Sequence, residues 1–213
     1  MTDKIENDFS SGKNAAETSG ERFKRQLDFA LEIDKEKEIF RQTHLSGHGR
    51  SENDAEHAWH MAIMAYLLQE YSNEPIDIKK VMIMCLLHDV VEIDAGDTYA
   101  YDEEGLKTQK AREEAAKERI FSLLPEDQKA ELMAIVDEFN AYETPESKFA
   151  HCMDNVQPLM LNDSNGGADW IEHGVSATQI RGRQGKNILG SEFLFRYTDD
   201  IIERHVREGH IKN

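Results

Sequence analysis

A hydrophobic run that ends in an adjacent histidine and aspartate constrains this chain more than any other stretch. The run closes at Leu87, His88 and Asp89 follow directly, and Glu92 comes one helical turn later. On a continuing helix Glu92 shares the side of His88 and Asp89. Asp97 adds a third carboxylate where the helix should end. Burying an imidazole with three carboxylates costs several kcal/mol unless a cation balances them, so the pattern predicts a divalent metal ion here.

The charge balance limits the partners of the chain. Its 213 residues include 25 lysines and arginines against 42 aspartates and glutamates, a formal net charge of −17. Such a surface repels phosphate polymers and anionic lipids, so we expect neither a nucleic-acid polymer nor a membrane as partner. Cys85 and Cys152 fall in apolar helical patterns, which favours free thiols in a reducing compartment. No apolar run approaches the roughly 20 residues of a membrane span, and a cytoplasmic protein is predicted.

Apolar residues recur at helical spacing along most of the chain, and no strand-like alternation stands out. The predicted fold class is therefore all-α, a single compact helical bundle around one core. Residues 1–20 contain hardly any apolar side chains and are predicted to be a disordered leader, and residues 21–213 form the helical domain with a C-terminal helical extension. A polar connection is expected over residues 43–53. Residues 21–42 are expected to form one helix or two short ones. Further helices are expected over residues 53–71, 75–89, 106–124, 125–142, 145–161 and 192–208.

Four potential metal ligands occur in the order H…HD…D, namely His57, His88, Asp89 and Asp154. This pattern resembles the HD-domain metal-dependent phosphohydrolase superfamily over roughly residues 36–163. Within it, the chain is similar to the subgroup of small bacterial 5′-deoxynucleotidases and their eukaryotic relatives. The segments that carry the resemblance are Ser51–His57, His88–Asp97, Leu123–Pro125 and Ser147–Asp154.

The resemblance implies that these four residues hold a divalent ion. Imidazole and carboxylate ligands suit Mn²⁺, Co²⁺, Fe²⁺, Zn²⁺ or Mg²⁺, and four protein ligands leave two octahedral positions for water and a phosphate oxygen. The resembled nucleotidases use carboxylates at the positions of Glu92 and Asp97 as catalytic groups. One of the two would act on the attacking water and the other on the leaving oxygen, in an order that the sequence leaves open.

In the resembled superfamily, a two-metal site needs additional bridging or histidine ligands between the central and the final aspartate. His151 is the only histidine in that interval, so we expect a single ion. His60 lies three residues after His57, and His151 three residues before Asp154, so each shares the helical face of a ligand. We interpret His60 and His151 as neighbours of the ligands or as core residues.

Substrate phosphate requires positive charge in this acidic chain. Arg41 falls where the resembled family carries an arginine that contacts phosphate, and Lys110 is a weaker candidate, as is Arg112. The family has a tryptophan directly after its arginine, whereas this chain has Gln42, so the sugar preference attributed to that tryptophan is not carried over. His44 and His48 are interpreted as surface residues.

The resemblance implies a phosphomonoesterase that acts on (deoxy)nucleoside 5′-monophosphates. Two alternatives stay open: a pyrophosphohydrolase of an alarmone or a nucleoside triphosphate, and a non-enzymatic scaffold that binds metal or nucleotide. The first should need a more basic pocket, and the second has no need of Glu92 and Asp97. A homodimer is plausible through the apolar C-terminal helix. The segment Trp170–Val175 could close over the site, form a subunit contact or anchor the core.

Overall fold

The computed structural model describes residues 17–96 and 103–213. Within these ranges the fold is all-α apart from one short β-hairpin, which confirms the predicted fold class. The hairpin consists of β1 (Phe40–His44) and β2 (Ser51–Asn53). The α-helices of the described ranges are α1 (Ser19–Glu32), α2 (Asp54–Leu68), α3 (Ile78–Leu87), α4 (Glu92–Ala95), α5 (Glu103–Phe121), α6 (Glu126–Ala141), α7 (Pro145–Ser164), α8 (Ala168–Glu172), α9 (Ala177–Gln184) and α10 (Glu192–Glu208).

Helix α1 begins earlier than the sequence predicts. Most of the predicted leader, residues 1–20, lies outside the described residues, but Thr18 caps α1. The Thr18 hydroxyl accepts a hydrogen bond from the Glu21 backbone N–H at 3.3 Å, and the Glu21 carboxylate accepts one from the Thr18 N–H at 2.9 Å. This reciprocal pair satisfies two backbone donors that a helix start leaves without partners, so α1 begins at Ser19 rather than at Glu21.

The prediction over residues 21–42, one helix or two short ones, was wrong for the last of these residues, which begin β1. Helix α1 ends at Glu32 and passes into a 3-10 helix, Ile33–Glu38. In this tighter turn Lys35 and Lys37 each pair with an acidic residue three positions earlier, a spacing that 3-10 geometry brings into register.

The polar connection predicted over residues 43–53 was also wrong, because its two ends are paired strands. Phe40 lies opposite Asn53 and His44 lies opposite Ser51 in an antiparallel, irregular pairing. Strands of five and three residues are too short to show the period-2 alternation by which a strand is identified in a sequence.

Asn53 and Thr144 cap the starts of α2 and α7. Asn53 accepts a hydrogen bond from the Glu56 backbone N–H at 2.9 Å. Thr144 accepts one from the Ser147 N–H at 3.2 Å, with Pro145 at the first helical position. These two caps matter because α2 and α7 carry two of the predicted metal ligands.

Helix α3 does not begin at Pro75, as the sequence predicts. It begins at Ile78 after Asp77, whose carboxylate accepts hydrogen bonds from the backbone N–H groups of Lys79 at 3.0 Å and Lys80 at 3.4 Å. Proline at a helix start merely has no backbone N–H to be satisfied. Asp77 instead accepts hydrogen bonds from two backbone N–H groups of the first turn, so the helix begins directly after the aspartate.

The main core lies between α2, α3 and α7, which pack against one another. Burial of these apolar side chains is the main driving force that holds the three helices together. Cys85 and Cys152 are free and buried, and burial raises the pKa of the Cys152 thiol to about 12, so it stays protonated. The fully buried side chains at the centre include Met61, Met84, Phe149 and Met153.

A separate cluster anchors the C-terminal part of the chain. Trp170 and Val175 are buried with Ile180 of α9 and with Ile201 and Ile202 of α10. Of the three readings left open for the segment Trp170–Val175, the structure supports the core anchor. Among the described helices, none combines the length and the apolar content needed to cross a bilayer.

Candidate metal centre

Three helices bring the four predicted metal ligands to one small volume. His57 lies on α2, His88 and Asp89 directly follow α3, and Asp154 lies on α7. His57 Nε2 lies 3.3 Å from an Asp154 carboxylate oxygen and 4.0 Å from one of Asp89. His88 Nε2 lies 3.0 Å from the same Asp89 oxygen and 3.9 Å from the same Asp154 oxygen. These four residues are called the metal cluster below.

The chain turns sharply at the histidine and aspartate pair instead of continuing as a helix. Helix α3 ends at Leu87, and the short helix α4 starts at Glu92. The Glu92 backbone N–H donates to the Asp89 carbonyl at 2.8 Å, which keeps the two residues one turn apart. Glu92 is buried, with 7% of its surface exposed. The other predicted catalytic carboxylate, Asp97, lies outside the described residues.

Hydrogen bonds fix which nitrogen of each histidine faces the cluster. His88 Nδ1 donates to the Cys85 carbonyl at 2.9 Å. His57 Nδ1 donates to the side-chain oxygen of Gln157 at 2.8 Å, because the Gln157 amide nitrogen is turned towards Glu52 at 2.7 Å. Each Nε2 is therefore turned towards the cluster, and in the neutral ring it carries the lone pair by which histidine binds metal.

Two imidazole Nε2 atoms and two carboxylates thus face one another, and the two negative charges need a cation beside them. Without a metal ion, a proton on His88 Nε2, 3.0 Å from an Asp89 carboxylate oxygen, supplies positive charge there. A divalent ion would replace this proton and could bind all four side chains. The donor set fits a divalent ion, since imidazole nitrogen and carboxylate oxygen are the ligands that first-row divalent metals prefer.

The electrostatics of the metal cluster agree with a cation site. Burial opposes ionisation of Asp89 and Asp154, yet His88 with Arg41 and Arg183 hold both carboxyl pKa values below their usual range. Burial also lowers the pKa of His88, but the two carboxylates outweigh it and raise that pKa to about 9. The protein surroundings therefore keep negative charge in a buried place, as a divalent cation requires.

Arg41 reaches the cluster, whereas Lys110 does not. Arg41 Nη1 lies 2.8 Å from an Asp89 carboxylate oxygen and 3.4 Å from Asp54, and its Nε lies 3.9 Å from Glu52. Lys110 is exposed on α5, and no contact within the described ranges joins it to the cluster. Arg112, the weaker candidate, donates to the Ala95 carbonyl at the end of α4.

Sequence reasoning missed three residues around the cluster. Arg183 of α9 lies 3.5 Å from Asp154 through Nη2 and donates from Nε to Asn155 at 2.9 Å. Gln157 and Glu52 are fully buried and orient His57. Only Gln157 carried a signal, because it lies three residues after Asp154 and so shares its helical face.

His60 and His151 lie next to the metal cluster without entering it. His60 Nδ1 accepts from the Gln157 amide at 3.1 Å. His151 Nε2 donates to the Phe139 carbonyl at 2.9 Å, and its ring stacks on Phe139 at 3.8 Å between centroids. His60 Nδ1 and His151 Nε2 therefore form hydrogen bonds with residues outside the metal cluster.

We expect Gln157→Leu to weaken metal binding about 10- to 100-fold, because His57 loses the acceptor that fixes its tautomer. Calorimetric titration of the metal-free protein with Mn²⁺ measures this. Gln128→Leu is the matched control, since Gln128 of α6 bonds Gln26 of α1 instead. Equal Mn²⁺ affinity in wild type and Gln157→Leu would contradict the orienting role of Gln157.

Glu36, in the 3-10 helix after α1, gives stability a distinct pH dependence. Burial raises its pKa to about 8 from an ordinary value of 4.5, and the charge of Asp89 adds to this. Between these pH values the folded chain keeps a proton that the unfolded chain has lost. The contribution of Glu36 therefore becomes unfavourable as pH rises from about 4.5 to about 8, by up to about 1.4 kcal/mol for each pH unit.

Glu36→Gln should remove this slope, so that the variant gains stability over wild type as pH rises through the same window. Urea unfolding of the metal-free protein at several pH values measures the difference. Glu38→Gln changes an exposed residue of the same 3-10 helix and should leave the slope in place. If Glu36→Gln and wild type kept parallel pH profiles, the buried Glu36 carboxyl would have to be ionised throughout.

Comparison with known proteins identifies the family of this chain. A family model described as an HD domain matches residues 33–192. The chain therefore belongs to the HD-domain family, as the sequence predicts.

Individual relatives are consistent with this family. The structure matches a crystal structure titled as a predicted metal-dependent phosphohydrolase from Magnetospirillum magnetotacticum MS-1 with a TM-score of 0.87, at 42% identity over 92% of this chain and 100% of that one. Human 5′-deoxynucleotidase HDDC2 is 28% identical over 111 residues, which are 52% of this chain and 53% of the human protein. The bovine 5′-deoxynucleotidase HDDC2 is 27% identical over 52% of this chain and 53% of its own. The chain spans about half the length of the curated relatives it matches.

Proposed function

We propose that this chain is a metal-dependent phosphomonoesterase that cleaves (deoxy)nucleoside 5′-monophosphates to nucleoside and phosphate. The observation that carries the proposal is the set of potential ligands in the metal cluster, where two histidine Nε2 atoms and two ionised carboxylates converge from three helices. The relatives named 5′-deoxynucleotidase support the choice of substrate class, and they match over about half of their length.

His57, His88, Asp89 and Asp154 would hold one divalent ion. When bound, that ion supplies a Lewis acid that polarises the phosphoryl group and lowers the pKa of water. The second nitrogen of each histidine is held by a carbonyl oxygen, so the ligands are oriented before any ion arrives. This preorganisation reduces the cost of ordering the ligands when metal binds.

Glu92 is proposed to move a proton during the reaction. Its carboxylate is buried one turn after Asp89, on the short helix α4 that starts where the chain leaves the cluster. A carboxylate in such a place can take a proton from the attacking water or give one to the leaving oxygen. Asp97 is proposed for the complementary role.

Two arginines are proposed to bind the substrate phosphate. Arg41 and Arg183 each contact one carboxylate of the metal cluster, from β1 and from α9 respectively. Both guanidinium groups are partly buried, with side-chain exposures of 11% and 27%. A planar guanidinium can bind two phosphate oxygens at once, so each could exchange a carboxylate partner for phosphate. Lys110 remains a weaker prediction for the same role.

Phosphate release from a panel of nucleotides tests the proposal. The metal-stripped protein is incubated with deoxynucleoside and ribonucleoside 5′-monophosphates and with nucleoside triphosphates, and Mn²⁺, Co²⁺ or Mg²⁺ is added back separately. We expect orthophosphate from the monophosphates, only with metal added. Release of pyrophosphate from the triphosphates instead would favour a pyrophosphohydrolase, and no release from any nucleotide would favour a binding scaffold.

A further inference from the structure

We propose that His44, His48 and Asp169 form a second metal site, for a borderline ion such as Zn²⁺, separate from the metal cluster. His44 Nδ1 lies 2.7 Å from Asp169 Oδ1, and His48 Nε2 lies 3.2 Å from the same oxygen. The potential ligand atoms of the three residues all lie within 4.8 Å of one another. The sequence indicated surface histidines here, and the fold brings them to a shared carboxylate.

The hairpin loop is built to direct both rings at Asp169. His48 has a φ of +55°, in the left-handed region that residues other than glycine rarely adopt. Asn165 holds it there: its side-chain oxygen accepts from the His48 N–H at 3.0 Å, and its amide donates to the Leu45 carbonyl at 3.1 Å. Strained backbone of this kind persists where surrounding contacts enforce it.

Asp169 is the fixed point of the site. Its side chain is 6% exposed, and its second oxygen accepts from the His44 backbone N–H at 3.0 Å. Oδ1 is left facing the two imidazoles, whose rings stack at 4.4 Å between centroids. The Asp169 oxygen and one nitrogen of each histidine therefore offer three potential metal-ligand atoms close to one point.

Two imidazoles and one carboxylate are a ligand set typical of zinc with one position open. Bonds of about 2.0–2.2 Å place neighbouring ligand atoms of a tetrahedral site about 3.4 Å apart. The His44–Asp169 separation of 2.7 Å would therefore widen by about 0.7 Å on ion binding, and the His48–Asp169 separation of 3.2 Å by about 0.2 Å. His48 is 40% exposed, which gives an ion a path from solvent. The net charge of −17 raises the local concentration of cations.

A bound ion would link the loop after β1 to α8. This link would lie at the His44 end of β1, and the start of α2 lies at the opposite, Phe40 end. Because β1 also carries Arg41, such a tie would fix the strand that reaches the metal cluster. This second site does not depend on the proposed activity. It is inferred from the ligand atoms of the three residues, the conformation of the hairpin loop and the exposure of His48.

Zinc bound per chain tests the second site. The metal-stripped protein is loaded with excess Zn²⁺, desalted and measured by elemental analysis. We expect about two equivalents in wild type and about one in His48→Gln. Asp169→Asn keeps the shape of the side chain but removes its charge, and it should also lose one equivalent. His173→Gln removes an exposed histidine at the end of α8 outside the site and should match wild type.

Cobalt gives a second readout that does not depend on counting. Four-coordinate Co²⁺ absorbs visible light much more strongly than six-coordinate Co²⁺, so an Asp154→Asn protein should still develop the intense bands, and the His48→Gln protein should not. Zinc should also raise the melting temperature of wild type more than that of His48→Gln. If wild type retained one zinc and His48→Gln the same amount, the three residues would be a hydrogen-bonded group only and the proposal would be overturned.

Discussion

Asp154→Asn should reduce phosphate release at least about 1,000-fold and should lose tight Mn²⁺ binding. Asparagine keeps the size of the side chain, but it removes the negative charge that faces both His57 and His88. A bound ion contributes several kcal/mol to stabilising the transition state, and about 4 kcal/mol corresponds to that factor in rate. Steady-state phosphate release and calorimetric Mn²⁺ titration measure the two effects.

Glu92→Gln is the matched comparison, because it removes a carboxylate beside the cluster and not within it. Turnover should fall about 100- to 10,000-fold, the range typical of a lost general acid or base, whereas Mn²⁺ affinity should stay near that of wild type. If Glu92→Gln turned over at the wild-type rate, Glu92 would have no catalytic role. If Asp154→Asn kept both activity and metal, the assignment of the metal cluster would fail.

Gly190→Ala should lower the free energy of unfolding by about 3 kcal/mol, since overpacking that moves backbone is among the most costly changes in a core. A Cβ atom at Gly190 would lie 2.3 Å from the carbonyl oxygen of Lys148 and 3.1 Å from the Cα of Phe149. These are backbone atoms of α7, so no side-chain rotation can relieve the contact. Urea unfolding followed by circular dichroism measures the change.

Gly182→Ala is the control for this prediction. Gly182 lies inside α9, and a Cβ atom there meets nothing within 4 Å. Alanine has a higher helix propensity than glycine, so this variant should be more stable than wild type by about 0.5–1 kcal/mol. Equal stability of Gly190→Ala and wild type would mean that the segment after α9 does not pack closely on α7.

The sequence predicted the helices that bring the four residues of the metal cluster together better than it predicted the surroundings of these residues. His57, His88, Asp89 and Asp154 lie on or next to helices whose caps, Asn53 and Thr144 among them, have strong local signals. A capping residue can be identified from the sequence because it forms hydrogen bonds with backbone groups only a few residues away, whatever the rest of the fold. The helix bundle and the family followed from the same information.

The features that the sequence missed depend on contacts between distant segments. Arg183 reaches Asp154 because α9 packs on α7, and nothing near Arg183 in the sequence indicates that contact. The β-hairpin was missed because its strands are short and, within the described ranges, pair with no other strand. His44 ends β1 and His48 lies in the hairpin loop, and their contact with Asp169 depends on the path of the chain after α7.

The most direct test of the metal cluster is a crystal of this chain grown with Mn²⁺, with anomalous diffraction recorded above and below the manganese absorption edge. We predict one anomalous peak within about 2–2.5 Å of both His57 and His88 Nε2 atoms and of carboxylate oxygens of Asp89 and Asp154. The same preparation should release phosphate from a nucleoside 5′-monophosphate only when manganese is present. Manganese-dependent release from a protein whose crystals show no peak among these four residues would contradict the account.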